Sequence, residues 1–157
     1  MTENTDKQFN LGRIYVKDAS LEVPGAPAIF NGKWKPQIDV QLNTNVQTIN
    51  EGTHEVSLKI TITASQEEAV GYIVEVEQAA IFTTQGLAGE ELQAALAIHG
   101  PNNLLPFARA TIADLISRAS FPPFMLQPVN FEALFRDHVA KLRTAESESK
   151  KEEVTKH

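Results

Sequence analysis

Three features of the chain point to an α+β architecture: a four-stranded antiparallel sheet with a long crossover after strand 1, followed by C-terminal helices. Apolar and polar residues alternate with period 2 through the first two thirds, which puts one side-chain row on a core and the other in water. After Phe82 the apolar spacing becomes that of helix. One connection between strands is long, and its prolines and glycines bar it from regular structure.

The clearest strand is Glu55 to Thr63, with Val56, Leu58, Ile60 and Ile62 on one face and Glu55, Lys59, Thr61 and Thr63 on the other. Gln37 to Val46 reads the same way, with Ile38, Val40 and Leu42 inward, and Tyr72 to Gln78 separates Tyr72, Val74 and Val76 from Ile73, Glu75 and Glu77. Ile14 to Val23 is less regular but places Val16, Asp18, Ser20 and Glu22 on one face. The short connections Asn50–Thr53 and Ser65–Glu68 make their strands antiparallel neighbours. Pro24–Pro36 holds Ile29, Phe30 and the only tryptophan, so it reads as an ordered loop packed on the sheet or on a ligand.

Gly89–Leu92 opens a short helix that Gly100-Pro101 should end, and Asn102 or Asn103 can cap a second helix running to about Ser120. Leu104, Leu105, Ala108, Ile112, Leu115, Ile116 and Ala119 suggest that this second helix is covered on two sides, one of them in an oligomer. Phe121–Pro128 is a second packed, proline-rich loop. The last helix runs from an Asn130 cap to about Leu142, with Glu132 near its positive end. The expected division is a flexible N-terminus (1–10), one domain (11–143) and a mobile polar tail or fraying helix end (144–157).

The chain has 157 residues, 42% of them apolar, which suits one domain with a single core. Neither a membrane span nor a secretory signal is expected. With no cysteine there is no disulfide framework and no thiolate chemistry, and a cytoplasmic location is the default. The net charge is −6, and all the acidic excess lies in residues 1–98, where thirteen carboxylates face six basic side chains. Such a surface repels nucleic acid and attracts a basic partner, and it is also what solubility alone produces.

No nucleophile–base set, metal-ligand spacing or phosphate-binding glycine motif occurs, so neither catalysis nor a cofactor is expected. The four histidines, the glycines and the adjacent glutamate pairs read as surface groups and punctuation. What stands out is apolar material outside the periodic elements: Ile29, Phe30 and Trp34 in one loop, and Phe121, Phe124, Met125 and Leu126 in the other. Aromatic and methionine side chains so placed suit either loop anchors plugged into the domain's own core or an adaptable apolar groove.

Arg13-Ile14-Tyr15-Val16-Lys17-Asp18, Glu22–Pro27, Trp34-Lys35-Pro36, Gln78–Phe82, Pro101–Arg109, Ser120–Phe124 and Leu126–Phe131 together resemble the SecB family of bacterial protein-export chaperones, in order over roughly residues 9–142. The resemblance implies an ATP-independent chaperone that holds preproteins unfolded in the cytosol and delivers them to the motor SecA. It implies a homotetramer, a dimer of dimers with helices between two eight-stranded sheets. It implies a client trough at Phe30, Trp34, Ile38, Val40, Leu42, Phe124, Leu126 and Phe131. Asp18, Glu22, Ile73 and Glu75 would dock the basic, zinc-bearing C-terminal segment of SecA, with Ile73 where familiar members have Leu. Tyr72, Val74, Val76 and Gln78 would point to the tetramer centre. Lys150, Lys151 and Lys156 depart from an acidic family tail. An adaptor of the same architecture dedicated to one partner, such as a toxin–antitoxin pair, is the competing reading.

Overall fold

Long strands grow from the alternating segments. The computed structural model describes residues 6–154 and contains β1 (Gln8–Glu22), β2 (Gln37–Asn50), β3 (Thr53–Gln66), β4 (Ala69–Gln85), α1 (Gly89–Ala94), α2 (Gly100–Arg118) and α3 (Phe131–Val154). The sheet order is β1-β4-β3-β2, antiparallel throughout. The chain therefore leaves one edge with β1 and returns at the opposite edge with β2. Three inter-strand steps of about 4.8 Å must be spanned, which is why the crossover is long.

The central strands supply the core. Val56, Leu58, Ile60, Ile62 and Ala64 of β3, and Tyr72, Val74, Val76, Ala80 and Phe82 of β4, are buried beneath Leu104, Ala108, Ile112 and Ile116 of α2. Each large apolar side chain so placed contributes about 1.5–3 kcal/mol. At 100° per residue the seven apolar positions of α2 fall within an arc of about 120°. They form one stripe, and the chain's own sheet covers it, contrary to the expectation of cover on two sides. What α2 leaves exposed is chiefly Phe107.

Strand β1 departs from strict alternation. Register shifts lie between Leu11 and Ile14 and between Val16 and Asp18, so Val16 sits opposite Gln78 while Asp18 sits opposite Glu77. Val16 therefore joins the helix-covered face, and Asp18, Ser20 and Glu22 lie on the other; the four do not share one face. The extra residue of a bulge resets the parity of everything after it. Gln8 to Asn10, expected to be flexible, pair with Gln85 to Thr83. Residues 1–5 lie outside the described residues.

The expected break at Gly100-Pro101 is absent. Residues 95–99 form a π-helical turn, and the Gly100 N–H donates to the Ala95 carbonyl five residues back. Pro101 has no N–H to contribute, and the wider turn accommodates it. Asn102 and Asn103 consequently lie inside α2, where the Asn103 amide donates to the His99 carbonyl at 2.6 Å. Gly100 is pressed onto β3: a Cβ there would lie 2.9 Å from Cγ1 and 3.1 Å from Cγ2 of Val56. Gly100→Ala is expected to destabilise by about 1–2 kcal/mol, because overpacking a rigid strand outweighs the helix-propensity gain of about 1 kcal/mol. Thermal melting checks the sign.

At the other end of α2, Ser120 adopts φ +67°. Its N–H donates to the Ser117 carbonyl at 3.0 Å, and that of Phe121 to the Ile116 carbonyl at 3.3 Å. This is a Schellman ending, which turns Phe121 back onto the core. α3 starts at the expected Asn130 cap, whose Oδ1 accepts from the Ala133 N–H at 3.0 Å. It continues to Val154, and residues 144–152, expected as a mobile tail or a fraying helix end, are exposed and polar. Residues 155–157 are outside the described residues. No helix among the described residues is long and apolar enough to cross a membrane.

Candidate functional site

On the helix side, α2 covers the two central strands and leaves edge strand β2 partly open. Ile38, Val40 and Leu42 point to that side, opposite Ala64, Ile62 and Ile60 of β3. Val40 is 41% exposed, whereas Ile38 and Leu42 are half-buried against the core. Together they form an apolar strip about 14 Å long, at the strand's rise of ~3.4 Å per residue.

At the Ile38 end stands an aromatic cluster. Ala64 lies opposite both Ile38 and Tyr72, which brings the crossover loop and β4 to the same corner. The Phe121 ring is the hub, with centroids 4.7 Å from Trp34, 5.0 Å from Tyr72 and 5.2 Å from Phe30. Phe30 is 47% exposed, so the cluster has one wet side. Trp34 reaches its place because Gly71 has no side chain: a Cβ there would stand 2.3 Å from the indole Cη2.

At the Leu42 end the strip runs into a groove of about 450 Å³ walled by Phe131, Leu134, Phe135 and His138 of α3, with Ala97 at its base. Those four α3 positions follow helical spacing and share one face. Leu134 is 48% exposed and offers apolar surface. Of the residues the resemblance assigned to a client trough, Leu126 and Phe131 are buried and Phe124 half-buried against the core. These three support the walls more than they present surface. Phe121, Leu134 and Phe135 belong to the site and were not among those assigned; the α3 pair was readable from its spacing to Phe131.

The opposite face of the sheet is flat and charged. Across the strands, Glu22 lies opposite Ile73, Ser20 opposite Glu75, and Asp18 opposite Glu77. Thr63 and then Asp39 extend the Ile73 row. Asp18, Glu22, Ile73 and Glu75 are thus brought together, with Glu77 and Asp39 added by the register. The face is not uniformly acidic. Glu75 pairs with Lys59 at 3.3 Å and accepts from the Thr61 hydroxyl at 3.0 Å. Further along, Lys17 donates to Glu55 at 2.6 Å and the Tyr15 hydroxyl donates to the same carboxylate, a bridge that passes over buried Ala79. The Lys17 and Tyr15 hydrogen bonds hold the Glu55 carboxyl below its ordinary range. Burial, together with this carboxylate, pushes the Tyr15 phenol up to about 12.

Tyr72, Val74, Val76 and Gln78 are buried within the single chain, under its own α2 and loops. They are the floor of the chain's own core. Among the described residues no group of His, Asp and Glu is arranged to hold a metal ion.

Residues 2–142 match the family model described as "Preprotein translocase subunit SecB". The chain is 42% identical to the protein-export protein SecB of Methylococcus capsulatus, over 87% of this chain and 88% of that one. It is 41% identical to that of Dechloromonas aromatica, over 94% and 97%. Among solved structures, a SecB-like chaperone of Mycobacterium tuberculosis in complex with an antitoxin peptide shares the fold, with a TM-score of 0.64 at 22% identity, covering 77% of this chain and 90% of that chain. With an apolar strip on one sheet face, a charged plane on the other, and a family match over nearly the whole domain, the chain belongs to the SecB family of protein-export chaperones.

Proposed function

We propose that this chaperone holds unfolded preproteins in the cytosol, without ATP, along the line from the Phe30–Trp34–Phe121 cluster through Ile38, Val40 and Leu42 to the α3 groove. The single observation that carries the reading is the continuity of that line beside an edge strand. An extended segment can gain apolar burial on alternate side chains while the open β2 edge meets its backbone, and neither contact requires a fixed client sequence. In a homotetramer, a dimer of dimers, several such lines would wrap one chain and supply avidity. The sheet's outer face, with Asp18, Glu22, Ile73 and Glu75, then remains for the zinc-bearing C-terminal segment of SecA, whose basic groups complement it.

The two faces separate experimentally. Val40→Ala with Leu42→Ala removes apolar line and should weaken binding of a permanently unfolded preprotein about tenfold while sparing SecA affinity. Glu75→Lys should lower SecA affinity and its salt dependence while sparing the client. Calorimetric titration of both variants against both partners decides, and equal losses for both partners in either variant would refute the division.

A further inference from the structure

The crossover loop is held at two places of unlike kind. Its first half folds on itself: Ile29, Phe30 and Asn31 donate to the carbonyls of Gly25, Pro27 and Ala28 at 2.8–3.1 Å. Residues 32–35, which carry Trp34, contribute no backbone–backbone hydrogen bond among the described residues. Their polar anchor is one side chain. The Gln66 amide, at the end of β3, donates to the Lys33 carbonyl at 2.7 Å and accepts from the Lys35 N–H. Flanking Trp34 on both sides, this amide acts as a neighbouring strand's peptide group would, and it does so where no strand reaches.

We propose that Gln66 is a positioning residue for the client site, which keeps Trp34 seated as a preformed wall. The inference rests on the client reading above. A loop already ordered loses less conformational freedom when a client arrives, so the clamp raises affinity without touching the client. The same depression is lined by Lys33, Lys35, Gln37, Ser65, Glu67 and Glu68. Gln37 and Ser65 also carry side chains that donate and accept, but it is the Gln66 amide that is bonded to two successive peptide groups of the loop.

The chain's one tryptophan makes the clamp observable. In Gln66→Ala, acrylamide quenching of Trp34 should rise about twofold, and affinity for a reduced, carboxymethylated unfolded protein should fall roughly threefold to tenfold, with melting nearly unchanged. Gln66→Glu keeps the acceptor for Lys35 and loses the donor toward Lys33. At pH 8 it should resemble the alanine variant. As the pH is lowered to about 4, below the ordinary glutamate pKa of ~4.3, it should move toward parent-like quenching, because the protonated carboxyl supplies the missing hydrogen, while the alanine variant shows no such recovery. That pH profile separates a clamp from mere bulk. Unchanged quenching in Gln66→Ala would overturn the clamp. Raised quenching with parent-like client affinity would overturn its role in binding. Failure of the parent to bind the unfolded protein would refute the client reading instead, and the quenching arm would still report on the clamp.

Discussion

Val76→Asp is expected to abolish folding and assembly together. Val76 is fully buried on the face of β4 that α2 covers, between Ala19 and Ile60 across the sheet. A carboxylate there has no cation facing it among the neighbouring core side chains, which are apolar. Burying an unpaired charge costs several kcal/mol after relaxation, a large share of the 5–15 kcal/mol that holds a domain together. Far-UV circular dichroism combined with sedimentation should show loss of cooperative melting at the same time as loss of mass. A folded, cooperatively melting protomer of reduced mass would show that Val76 belongs to a subunit contact and not to the protomer's floor.

The second large effect is expected from one methyl group. Gly71→Ala places a Cβ within 2.3 Å of the Trp34 indole and 3.3 Å of the Ala64 carbonyl. Gly71 is the surplus residue between the Ala64–Tyr72 and Ser65–Val70 pairs, and with the Ala64 carbonyl crowding the new Cβ as well, the indole is what must leave. Its contacts with Phe121 and Tyr72 go with it. Stability should fall by about 2–3 kcal/mol, the range of overpacked and large-to-small core changes. Tryptophan emission should shift to the red, and affinity for unfolded chains should drop by about an order of magnitude. Emission like the parent's would mean that the indole finds room on Gly71's side of the sheet.

Regularity in the sequence decided what was legible. β3 keeps strict alternation from Thr53 to Gln66, so its inward set could be read directly. β1 loses alternation at Lys17, and nothing local marks a bulge there, so Val16 was placed on the wrong face. At Gly100-Pro101 two strong helix breakers are neutralised by a π-turn whose hydrogen bond lies upstream, at Ala95. The α3 wall follows from helical spacing. In the aperiodic Phe121–Pro128 segment, no rule distinguishes buried Leu126 from Met125, which is 54% exposed. Phe121's meeting with Tyr72 and the Lys59–Glu75 pair depend on register and on the path of the chain, which composition does not carry. The apolar strip Ile38–Val40–Leu42 was legible because it is one strand. The cluster at its end joins three separate segments and was not.

The bulge in β1 also determines where the chain tolerates a change of length. Away from the two register shifts, removing one residue ahead of Asp18 or Glu22 would turn every later side chain to the other face and bury those carboxylates beneath the helices. Lys17 is the surplus residue of a two-against-one pairing. Without it, Val16 still meets Gln78, Asp18 still meets Glu77, and the order through Glu22 and Ile73 is unchanged. A chain lacking Lys17 should therefore keep its acidic plane and its core, losing the Lys17–Glu55 pair and some local twist. One lacking Ala19 should keep neither, and comparing the melting curves of the two deletions would expose the difference. Around Lys17 the strand behaves as two rods joined by a slip joint, with the alternation of the segment before it and that of the segment carrying Asp18 and Glu22 free to be spaced independently.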